Sequence, residues 1–435
     1  MPIWIIGILA FVVMIVLTLI GVPLGIAIFG CAGLGLLAAA GPAMFLNQMT
    51  TGIFSLSASY NFAVIPMFMV MGTLCSMTGI AEGAFKAARK WLGGTRGGLL
   101  DTVVIANMIF GACSGVSSAA NVVFSRIALP ELEKAKYDRG LSLSVICASS
   151  SLSVLIPPSV LILSFCMLVE VSAGAALMAG FGAGILFAVA YLIFINIYKR
   201  IYPDKIPPKS TEKIPMNEKL RTLTLLIPIL LLFALIVGGS FLGWFPATVG
   251  GAVAMVVVLI YAIAKRTPFK SITKAIWDSL LQFGNIYLII IGGQLFSRLI
   301  AFTGLTKTIG NAIASANVPP IIIFALVVIF YLFCGMFMDC ASIIVITAPI
   351  VFPVLTGLGY NELVLVAMMV ISMEVASLTP PVGLGVFYVA NAVNESPAFI
   401  FKNVVKFFVL DLALIFAMAI IPDLVLWMPK LMGYM

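Results

Sequence analysis

Ser149-Ser-Ser-Leu-Ser-Val-Leu-Ile-Pro-Pro-Ser159 places two adjacent prolines inside an apolar run, and Ser377-Leu-Thr-Pro-Pro-Val-Gly-Leu-Gly385 does so again. A proline in a helix interior costs roughly 3 kcal/mol and frees the carbonyl four residues before it. Freed carbonyls beside serine and threonine hydroxyls suit a bare Na⁺, and the N-terminus of a half-helix suits an anionic group. The alternative is a simple kink, for which one proline is enough. A Pro-Pro pair with hydroxyls around it, found twice, favours two broken helices at an ion site.

The two Pro-Pro stretches belong to a repeat that runs through the chain. Short matches recur in the same order at offsets of 223 to 225 residues. They pair Thr78-Gly79 with Thr303-Gly304, Gly111 with Gly335, Pro130 with Pro353, Tyr137-Asp138 with Tyr360-Asn361, and Leu155–Pro158 with Leu378–Pro381. Internal repeats around a central site are the architecture of many secondary transporters. If each half crosses the membrane an odd number of times, the two repeats are inverted relative to each other.

The composition is that of a membrane protein. Hydrophobic residues make up 63% of the 435 residues and charged residues 9%, against roughly 25% charged in soluble domains. Apolar runs such as Ile3–Phe29 and Leu220–Phe241 exceed the roughly 20 residues that a spanning helix needs. Hydropathy windows give about ten to twelve such runs. The predicted fold class is an all-α, polytopic membrane protein. Its first run lacks a basic n-region, so we expect it to stay as a spanning helix.

Charge and residue usage exclude several classes. The net charge is +8, and seven basic residues with four prolines fall in Lys199–Arg221, which the positive-inside rule places in the cytoplasm. This clustering favours a topology signal over nucleic-acid binding. The seven cysteines form no CxxC pair and indicate buried small residues rather than disulfides or a metal site. There is no histidine, and the Ser-Lys or Asp-Asp schemes left to an intramembrane enzyme lack a suitably placed lysine or second aspartate. We therefore expect no enzyme, no cofactor and no transition-metal site.

Each half also carries a polar, glycine-rich break, at Gly111–Ser118 and at Gly335–Ser342. Non-helical backbone at membrane depth persists only where it is buried in protein or lines a wet cavity. Two re-entrant hairpins satisfy this condition, hairpin 1 turning at Ser114–Ser118 and hairpin 2 turning at Asp339–Ser342. The alternative is ordinary helix packing through small residues.

The repeat, the basic segment and the breaks divide the chain into five parts. They are N-terminal scaffold helices (1–60), a first repeat with hairpin 1 and a broken helix (61–198), a cytoplasmic basic loop (199–221), scaffold helices of the second half (222–265), and a second repeat with hairpin 2, a broken helix and a C-terminal helix (266–435).

Residues in and around the breaks are the candidates for binding. A matched break in each half predicts one Na⁺ in each half. The Na⁺ candidates of the first half are Ser114, Gly115, Ser117, Ser149, Ser150 and Ser151, and those of the second half are Asp339, Ser342, Ser377 and Thr379. The solute candidates are Ser118, Asn121, Pro158, Ser159, Arg298, Pro381 and Gly383.

Ionisable residues inside apolar runs are costly and need a reason. Asp339 either serves the ion site or caps the turn of hairpin 2. Glu374 belongs either to the site or to a structural ion pair. Arg298 could meet a solute carboxylate in a forked geometry, pair with an acid, or snorkel. Three further ionisable residues are expected near the ends of spans, namely Arg126, Glu170 and Asp411.

These motifs, in this order, resemble the large membrane subunit of tripartite ATP-independent periplasmic (TRAP) transporters. The first-half motifs are Ser114-Gly115, Leu129-Pro130-Glu131, Lys136-Tyr137-Asp138 and Leu155–Ser159, and the second-half motifs are Gly335–Asp339, Leu358–Asn361 and Glu374–Gly383. The resemblance covers essentially the whole chain. It departs at Ser153 and Ala376, where the family usually has glycine, and at Gly385, where it has asparagine. It also departs at Ser150-Ser151, near which the family has Gly-Thr. These departures affect the expected substrate and ion geometry rather than the fold.

The resemblance implies a Na⁺-driven symporter with an elevator motion in the bacterial inner membrane. It implies two partners, a periplasmic binding protein that delivers a small organic acid and a small membrane subunit on a separate polypeptide. Family members carry C4-dicarboxylates, sialic acids and other sugar acids. The alternative is a self-sufficient Na⁺/carboxylate carrier of similar paired-hairpin plan, which needs no binding protein. Parity of the crossings predicts that both termini lie in the periplasm.

Overall fold

The structure is a computed structural model that describes residues 2–58, 60–208, 215–239, 242, 244–245, 249–315, 318–336 and 338–435. Across these residues the secondary structure is helical and contains no strand. The first-half helices are α1 Ile3–Leu19, α2 Leu24–Ser57, α3 Tyr60–Met77, α4 Ile80–Leu92, α5 Gly98–Ser114, α6 Ser117–Lys134, α7 Arg139–Leu155, α8 Val160–Val169 and α9 Ala173–Ile201. The second-half helices are α10 Met216–Gly238, α11 Gly250–Ala264, α12 Phe269–Thr303, α13 Leu305–Ser315, α14 Pro320–Gly335, α15 Cys340–Gly357, α16 Glu362–Ala376, α17 Leu384–Val393, α18 Pro397–Ile420 and α19 Asp423–Leu431.

The helix boundaries confirm the internal repeat. Helices of the two halves begin at matched positions 222 to 225 residues apart. The pairs of first residues are Ile80 and Leu305, Gly98 and Pro320, Ser117 and Cys340, Arg139 and Glu362, Val160 and Leu384, and Ala173 and Pro397. Hairpin 1 therefore consists of α5 and α6, and hairpin 2 consists of α14 and α15.

The predicted breaks occur where the sequence cannot continue a helix. Gly79 and Gly304 take left-handed φ values of 77° and 66° and separate α3 from α4 and α12 from α13. The α3–α4 pair is bent by 61°, and the α7–α8 pair by 46°. Pro157-Pro158 lies between α7 and α8, and Pro380-Pro381 lies between α16 and α17. Both Pro-Pro bonds are cis. The broken helices are thus confirmed in both halves.

Fewer helices are continuous spans than the apolar runs suggest. Six helices in the described part of the chain are long and apolar enough to cross a membrane, or up to eight if each bent pair counts as one span. The first helix of hairpin 1 has 17 residues and that of hairpin 2 has 16. Counting ten to twelve runs therefore overstated the number of continuous spans, because several runs form short or broken helices.

Connections that should share the cytoplasmic side meet at one end of the molecule. Arg96, before hairpin 1, donates a hydrogen bond to the carbonyl of Pro203 at 3.0 Å. The backbone N–H of Asp138 donates to the carbonyl of Lys205 at 3.1 Å. Arg139 pairs with Glu395, between α17 and α18, at 2.7 Å. These contacts agree with a basic cytoplasmic end, although residues 209–214 of the basic loop lie outside the described residues.

Helix α12 packs along the N-terminal helices. Its Phe296 contacts Phe11 of α1 with ring centroids 6.2 Å apart, and its Phe283 contacts Phe62 of α3 at 5.9 Å. Gly292 lets the helices approach closely, because a Cβ there would lie 3.0 Å from the backbone nitrogen of Phe29 in α2. Helix α12 thus forms one wall of the molecule's centre, and the hairpins and broken helices form the other. Residues 240–241 and 246–248, expected in the second-half scaffold helices, lie outside the described residues.

Candidate functional site

Hairpin 1 turns at the predicted place. Helix α5 ends at Ser114 and α6 begins at Ser117. Gly115 between them has φ of +62°, a conformation that side chains disfavour. A Cβ at Gly115 would also overlap the carbonyl oxygen of Pro158. The tip of hairpin 1 therefore lies directly against the Pro-Pro break of the same half.

Hairpin 2 turns slightly earlier than the sequence predicted. Its first helix ends at Gly335 and its second begins at Cys340, so Ser342 lies in the first turn of α15 rather than in the loop. Asp339 is the N-cap of α15. Its carboxylate accepts hydrogen bonds from the backbone N–H of Ser342 at 3.1 Å and from the Ser342 hydroxyl. Phe337 of this turn lies outside the described residues.

The two hairpins approach the broken helices in the same way. A Cβ at Gly111 of hairpin 1 would lie 2.7 Å from the Cα of Ser153. A Cβ at Gly335 of hairpin 2 would overlap the Cβ of Ala376. Ser153 and Ala376 are positions at which the TRAP motifs usually have glycine. In this chain the glycine on the hairpin side alone makes room for the contact.

A cavity of about 520 Å³ lies where hairpins and broken helices meet. Four helices have their first residue in its lining, namely α6 at Ser117, α8 at Val160, α15 at Cys340 and α17 at Leu384. A helix N-terminus presents unpaired N–H groups and a partial positive charge of roughly +0.5. The convergence of four such ends makes one side of the cavity suitable for an anionic group.

Two carboxylates line the same cavity, those of Asp339 and Glu374, and its described lining contains no lysine or arginine. Glu374 is only 4% exposed. Its Oε2 accepts a hydrogen bond from the Cys340 thiol at 3.3 Å, and the Ser117 side chain also contacts the carboxylate. Acidic groups at membrane depth without a basic partner are costly. A small cation bound by oxygen atoms would balance them.

A transition metal does not fit this donor set. The described residues contain no group of three or more histidine, cysteine, aspartate or glutamate side chains placed to hold a metal ion. Carboxylate, hydroxyl and carbonyl oxygens are hard ligands and suit an alkali or alkaline-earth cation.

Sequence reasoning missed three polar side chains of the cavity. Gln282 and Asn285 of α12 face it, as does Tyr388 of α17. The two amides are three residues apart and therefore share a helix face. Neither has a hydrogen-bond partner among the described residues, so they offer free donors and acceptors to the cavity. Two amides at helical spacing in an apolar run were a usable signal, whereas nothing in the sequence singled out Tyr388.

The structure brings part of the predicted site together. Five of the predicted residues line the cavity: Gly115, Ser117, Ser118, Asp339 and Ser377. The others do not line it, and they are Ser114, Asn121, Ser149, Ser150, Ser151, Pro158, Ser159, Arg298, Ser342, Thr379, Pro381 and Gly383. Ser159 caps α8 and accepts a hydrogen bond from the backbone N–H of Ile162 at 3.2 Å. Gly383 precedes α17 with a left-handed φ of 46°.

The three consecutive serines of the first Pro-Pro stretch bond within their own helix. Ser149, Ser150 and Ser151 donate to carbonyls three or four residues back at 2.6, 2.7 and 2.6 Å. Ser149 also accepts a hydrogen bond from the side-chain amide of Asn107 in hairpin 1 at 2.7 Å. Serine hydroxyls in helices commonly bond in this way. These hydroxyls therefore join hairpin 1 to the broken helix rather than lining the cavity.

Arg298 lies in a different place from the cavity. It lines a separate pocket of about 220 Å³ with Gln48, Glu170 and Gln294. Glu170 follows the last residue of α8, as expected for a residue at a helix end.

The expectation that Arg126 and Asp411 lie near span ends was wrong. Arg126 lies inside α6. Asp411 lies inside α18, is 0% exposed, and accepts a hydrogen bond from the Tyr191 hydroxyl at 2.7 Å. The apolar run around Asp411 is long enough to bury it, and a partner from α9 meets it there.

Comparison with known proteins agrees with this architecture. Residues 11–424 match the family described as the tripartite ATP-independent periplasmic transporter, DctM component. A C4-dicarboxylate TRAP transporter large permease of Pseudomonas aeruginosa is 29% identical over 81% of this chain and 82% of its own length. An ectoine/5-hydroxyectoine TRAP transporter large permease of Ruegeria pomeroyi is 25% identical over 97% of this chain and 98% of its own length.

A solved structure shares the fold. The YdaH transporter of Alcanivorax borkumensis superposes with a TM-score of 0.63 over 89% of each chain, at 14% identity. At that identity the likeness concerns the fold alone. The family match, in contrast, spans nearly the whole chain and agrees with the apolar helices and the repeated hairpins. The chain is therefore a multi-pass inner-membrane protein that belongs to the large-permease family of TRAP transporters.

Proposed function

We propose that this chain is the transport subunit of a Na⁺-coupled importer for a small organic acid. A periplasmic binding protein delivers the acid, and a small membrane subunit on a separate polypeptide completes the transporter. The observation that carries this proposal is the charge pattern of the central cavity, in which two carboxylates and four helix N-termini face one space without a basic side chain.

The charge pattern supports coupling through simple electrostatics. Without a cation, the carboxylates of Asp339 and Glu374 repel an incoming anion. Unit charges about 4 Å apart interact with roughly 4 kcal/mol at the effective dielectric typical near protein surfaces. A bound Na⁺ removes this repulsion and leaves the helix N-termini free to attract a carboxylate. Because coupling between two ligands is reciprocal, the organic acid then also raises the affinity for Na⁺.

We assign the candidate residues to two poles of the cavity. Gly115, Ser117, Asp339 and Ser377 belong to the cation pole, where hydroxyl, carbonyl and carboxylate oxygens are available. Ser118 at the start of α6 belongs to the anion pole. The free amides of Gln282 and Asn285 in α12 then hydrogen-bond the polar groups that distinguish one organic acid from another.

The two walls of the cavity support an elevator motion. Hairpins and broken helices pack on one another through matched glycine contacts at Gly111 and Gly335, which suits a unit that moves as a body. Helix α12 is instead packed along α1, α2 and α3, which suits a fixed scaffold. Alternating access in repeat-built transporters is largely a rigid-body movement of one such unit against another.

The test is uptake into proteoliposomes that contain this chain with its small subunit. The substrate is first identified by screening organic acids against the binding protein encoded beside the chain. Uptake should require an inward Na⁺ gradient and should rise with Na⁺ with a Hill coefficient above one. Full uptake with choline in place of Na⁺, driven by a proton gradient alone, would refute the coupling.

The partner requirement is tested in the same vesicles. Uptake should be lost when the binding protein is left out and restored when it is added back. Undiminished uptake of free substrate without the binding protein would instead favour the self-sufficient Na⁺/carboxylate carrier. A comparison of vesicles with and without the small subunit tests that partner independently.

A further inference from the structure

We propose that Glu374 holds a Na⁺ ion of its own, in a site that joins the two repeats. The other contributors are Ser117 at the tip of hairpin 1 and the first turn of hairpin 2 at Cys340. This inference rests on the Na⁺ coupling proposed above and assigns one of its ions to a side chain that the sequence left undecided between a site role and a structural ion pair.

The first argument is that Glu374 has no structural ion pair. It lies inside the broken helix α16, is almost fully buried, and meets no lysine or arginine in the described lining of the cavity. Its hydrogen-bond donor is the Cys340 thiol, at 3.3 Å from Oε2, and a thiol is a weak donor. A carboxylate at membrane depth with so little compensation calls for a cation.

The second argument comes from the contrast with Asp339. Both oxygens of the Asp339 carboxylate accept hydrogen bonds from Ser342, one from its backbone N–H and one from its hydroxyl. That carboxylate is already engaged as a helix cap. Glu374 has no backbone donor and is not at a helix end, so its oxygens are freer to coordinate an ion.

The third argument concerns the position of Glu374 between the hairpins. Ser117 contacts the Glu374 carboxylate from the first repeat, and Cys340 contacts it from the second. An ion at this carboxylate therefore bears on both hairpin tips at once. At the matched position in the first repeat, 223 residues earlier, stands Ser151, whose hydroxyl bonds the carbonyl of Ala148 at 2.6 Å. The site has no copy in the first repeat, and Na⁺ binding here would fasten the two repeats together.

The direct test measures radioactive Na⁺ bound per purified full chain, with choline keeping the ionic strength constant. Glu374→Gln should bind one Na⁺ fewer per chain than the wild type. Glu362→Gln is the matched control, because it removes the same charge from the exposed start of the same helix α16. It should bind as much Na⁺ as the wild type.

A second measurement needs no variant of Glu374 and so does not depend on that variant folding. Cys340 lies partly exposed in the cavity and reports on the site through its thiol. Na⁺ should slow alkylation of Cys340 by N-ethylmaleimide relative to choline, measured on the Cys340 peptide by mass spectrometry. Cys340→Ser identifies the labelled peptide.

The outcomes separate this inference from the proposed function. If the wild type binds Na⁺ and Glu374→Gln binds the same amount, the coupling stands and the assignment to Glu374 is overturned. Alkylation of Cys340 at the same rate in Na⁺ and in choline also overturns it. If the wild type binds no Na⁺ at all, the proposed Na⁺ coupling itself fails, and this site fails with it.

Discussion

At the residue scale, the carboxylate of Asp339 combines a structural and an electrostatic role. As the N-cap of α15 it satisfies the backbone N–H of Ser342. As a charge at the cavity it contributes to the cation pole. The two roles are separable, because asparagine caps a helix about as well as aspartate but carries no charge.

Asp339→Asn should therefore insert normally and transport poorly. If the charge serves Na⁺ coupling, the initial uptake rate should fall at least about tenfold, equivalent to roughly 1.4 kcal/mol of barrier. The measurement is uptake per inserted protein at saturating binding protein and Na⁺. A near-normal rate would leave Asp339 as a helix cap without a part in the mechanism.

Asp411 shows how a buried acid can be structural. Its side chain is fully buried in α18, and the Tyr191 hydroxyl of α9 donates to it at 2.7 Å. Asp411→Ala leaves that hydroxyl without its acceptor, which costs about 1–3 kcal/mol in a buried site. Asp411→Asn keeps a carbonyl acceptor. We therefore expect the melting temperature in detergent to fall more for Asp411→Ala than for Asp411→Asn, and the reverse order would contradict a structural role.

At the scale of elements, the sequence predicted the hairpins and broken helices better than it predicted the polar side chains between them. Breaks follow from local chemistry, since prolines and left-handed glycines end helices wherever they occur. The gathering of Gly115, Ser117 and Asp339 at one cavity followed because each lies at a break. Gln282 and Asn285 lie inside an unbroken helix, and only the crossing of that helix over the hairpins brings them to the cavity.

Local chemistry also explains where the sequence misled. Ser149 to Ser151 looked like ligands because they precede a Pro-Pro pair, but their hydroxyls bond the carbonyls of their own helix. Asp411 looked like a residue near a span end because acids inside apolar runs are costly. Its partner, Tyr191, is 220 residues away in the chain, and sequence alone could not pair them.

The junction between hairpin 1 and its broken helix can be tested at Gly115. Gly115→Ala introduces a Cβ both at a left-handed φ and against the carbonyl of Pro158. Gly304→Ala is the matched control, because Gly304 has a similar φ of 66° but open space around the new Cβ. The left-handed conformation alone costs about 1–2 kcal/mol, and overlap in a packed region adds about 1–3 kcal/mol.

We therefore expect Gly115→Ala to lower the melting temperature more than Gly304→Ala and to abolish uptake, while Gly304→Ala keeps most uptake. Thermal melting in detergent and uptake in proteoliposomes measure the two effects. Equal behaviour of both variants would mean that the contact between hairpin 1 and Pro158 is unimportant.

At the scale of the whole molecule, the two repeats have different charge. Asp339 and Glu374 both lie in the second repeat, and their matched positions in the first repeat are neutral, at Gly115 and Ser151. The architecture is thus symmetric while the cation pole is not. This asymmetry is what a directional coupling site needs, because the ion and the solute must occupy different parts of one cavity.

The ends of the molecule carry a matching asymmetry that fixes its orientation. The end formed by Arg96, Asp138, Lys205 and the Arg139–Glu395 pair is rich in basic residues, and the positive-inside rule makes it cytoplasmic. Lys205 should then face the cytoplasm. Lys307, in the α13 helix that follows α12, lies one span of α12 away from the basic segment at residues 265–268 and should face the periplasm.

Single-cysteine labelling tests this orientation in intact cells. With the native cysteines replaced, a membrane-impermeant maleimide should label Lys307→Cys directly and Lys205→Cys only after the cells are permeabilised. The charges at the two positions are alike, so the pair controls for local electrostatic effects on the reagent. Both positions lie in described segments outside the apolar core of their neighbouring spans. Direct labelling of Lys205→Cys with protection of Lys307→Cys would invert the molecule. The parity of its crossings and the placement of its termini in the periplasm would then be wrong together.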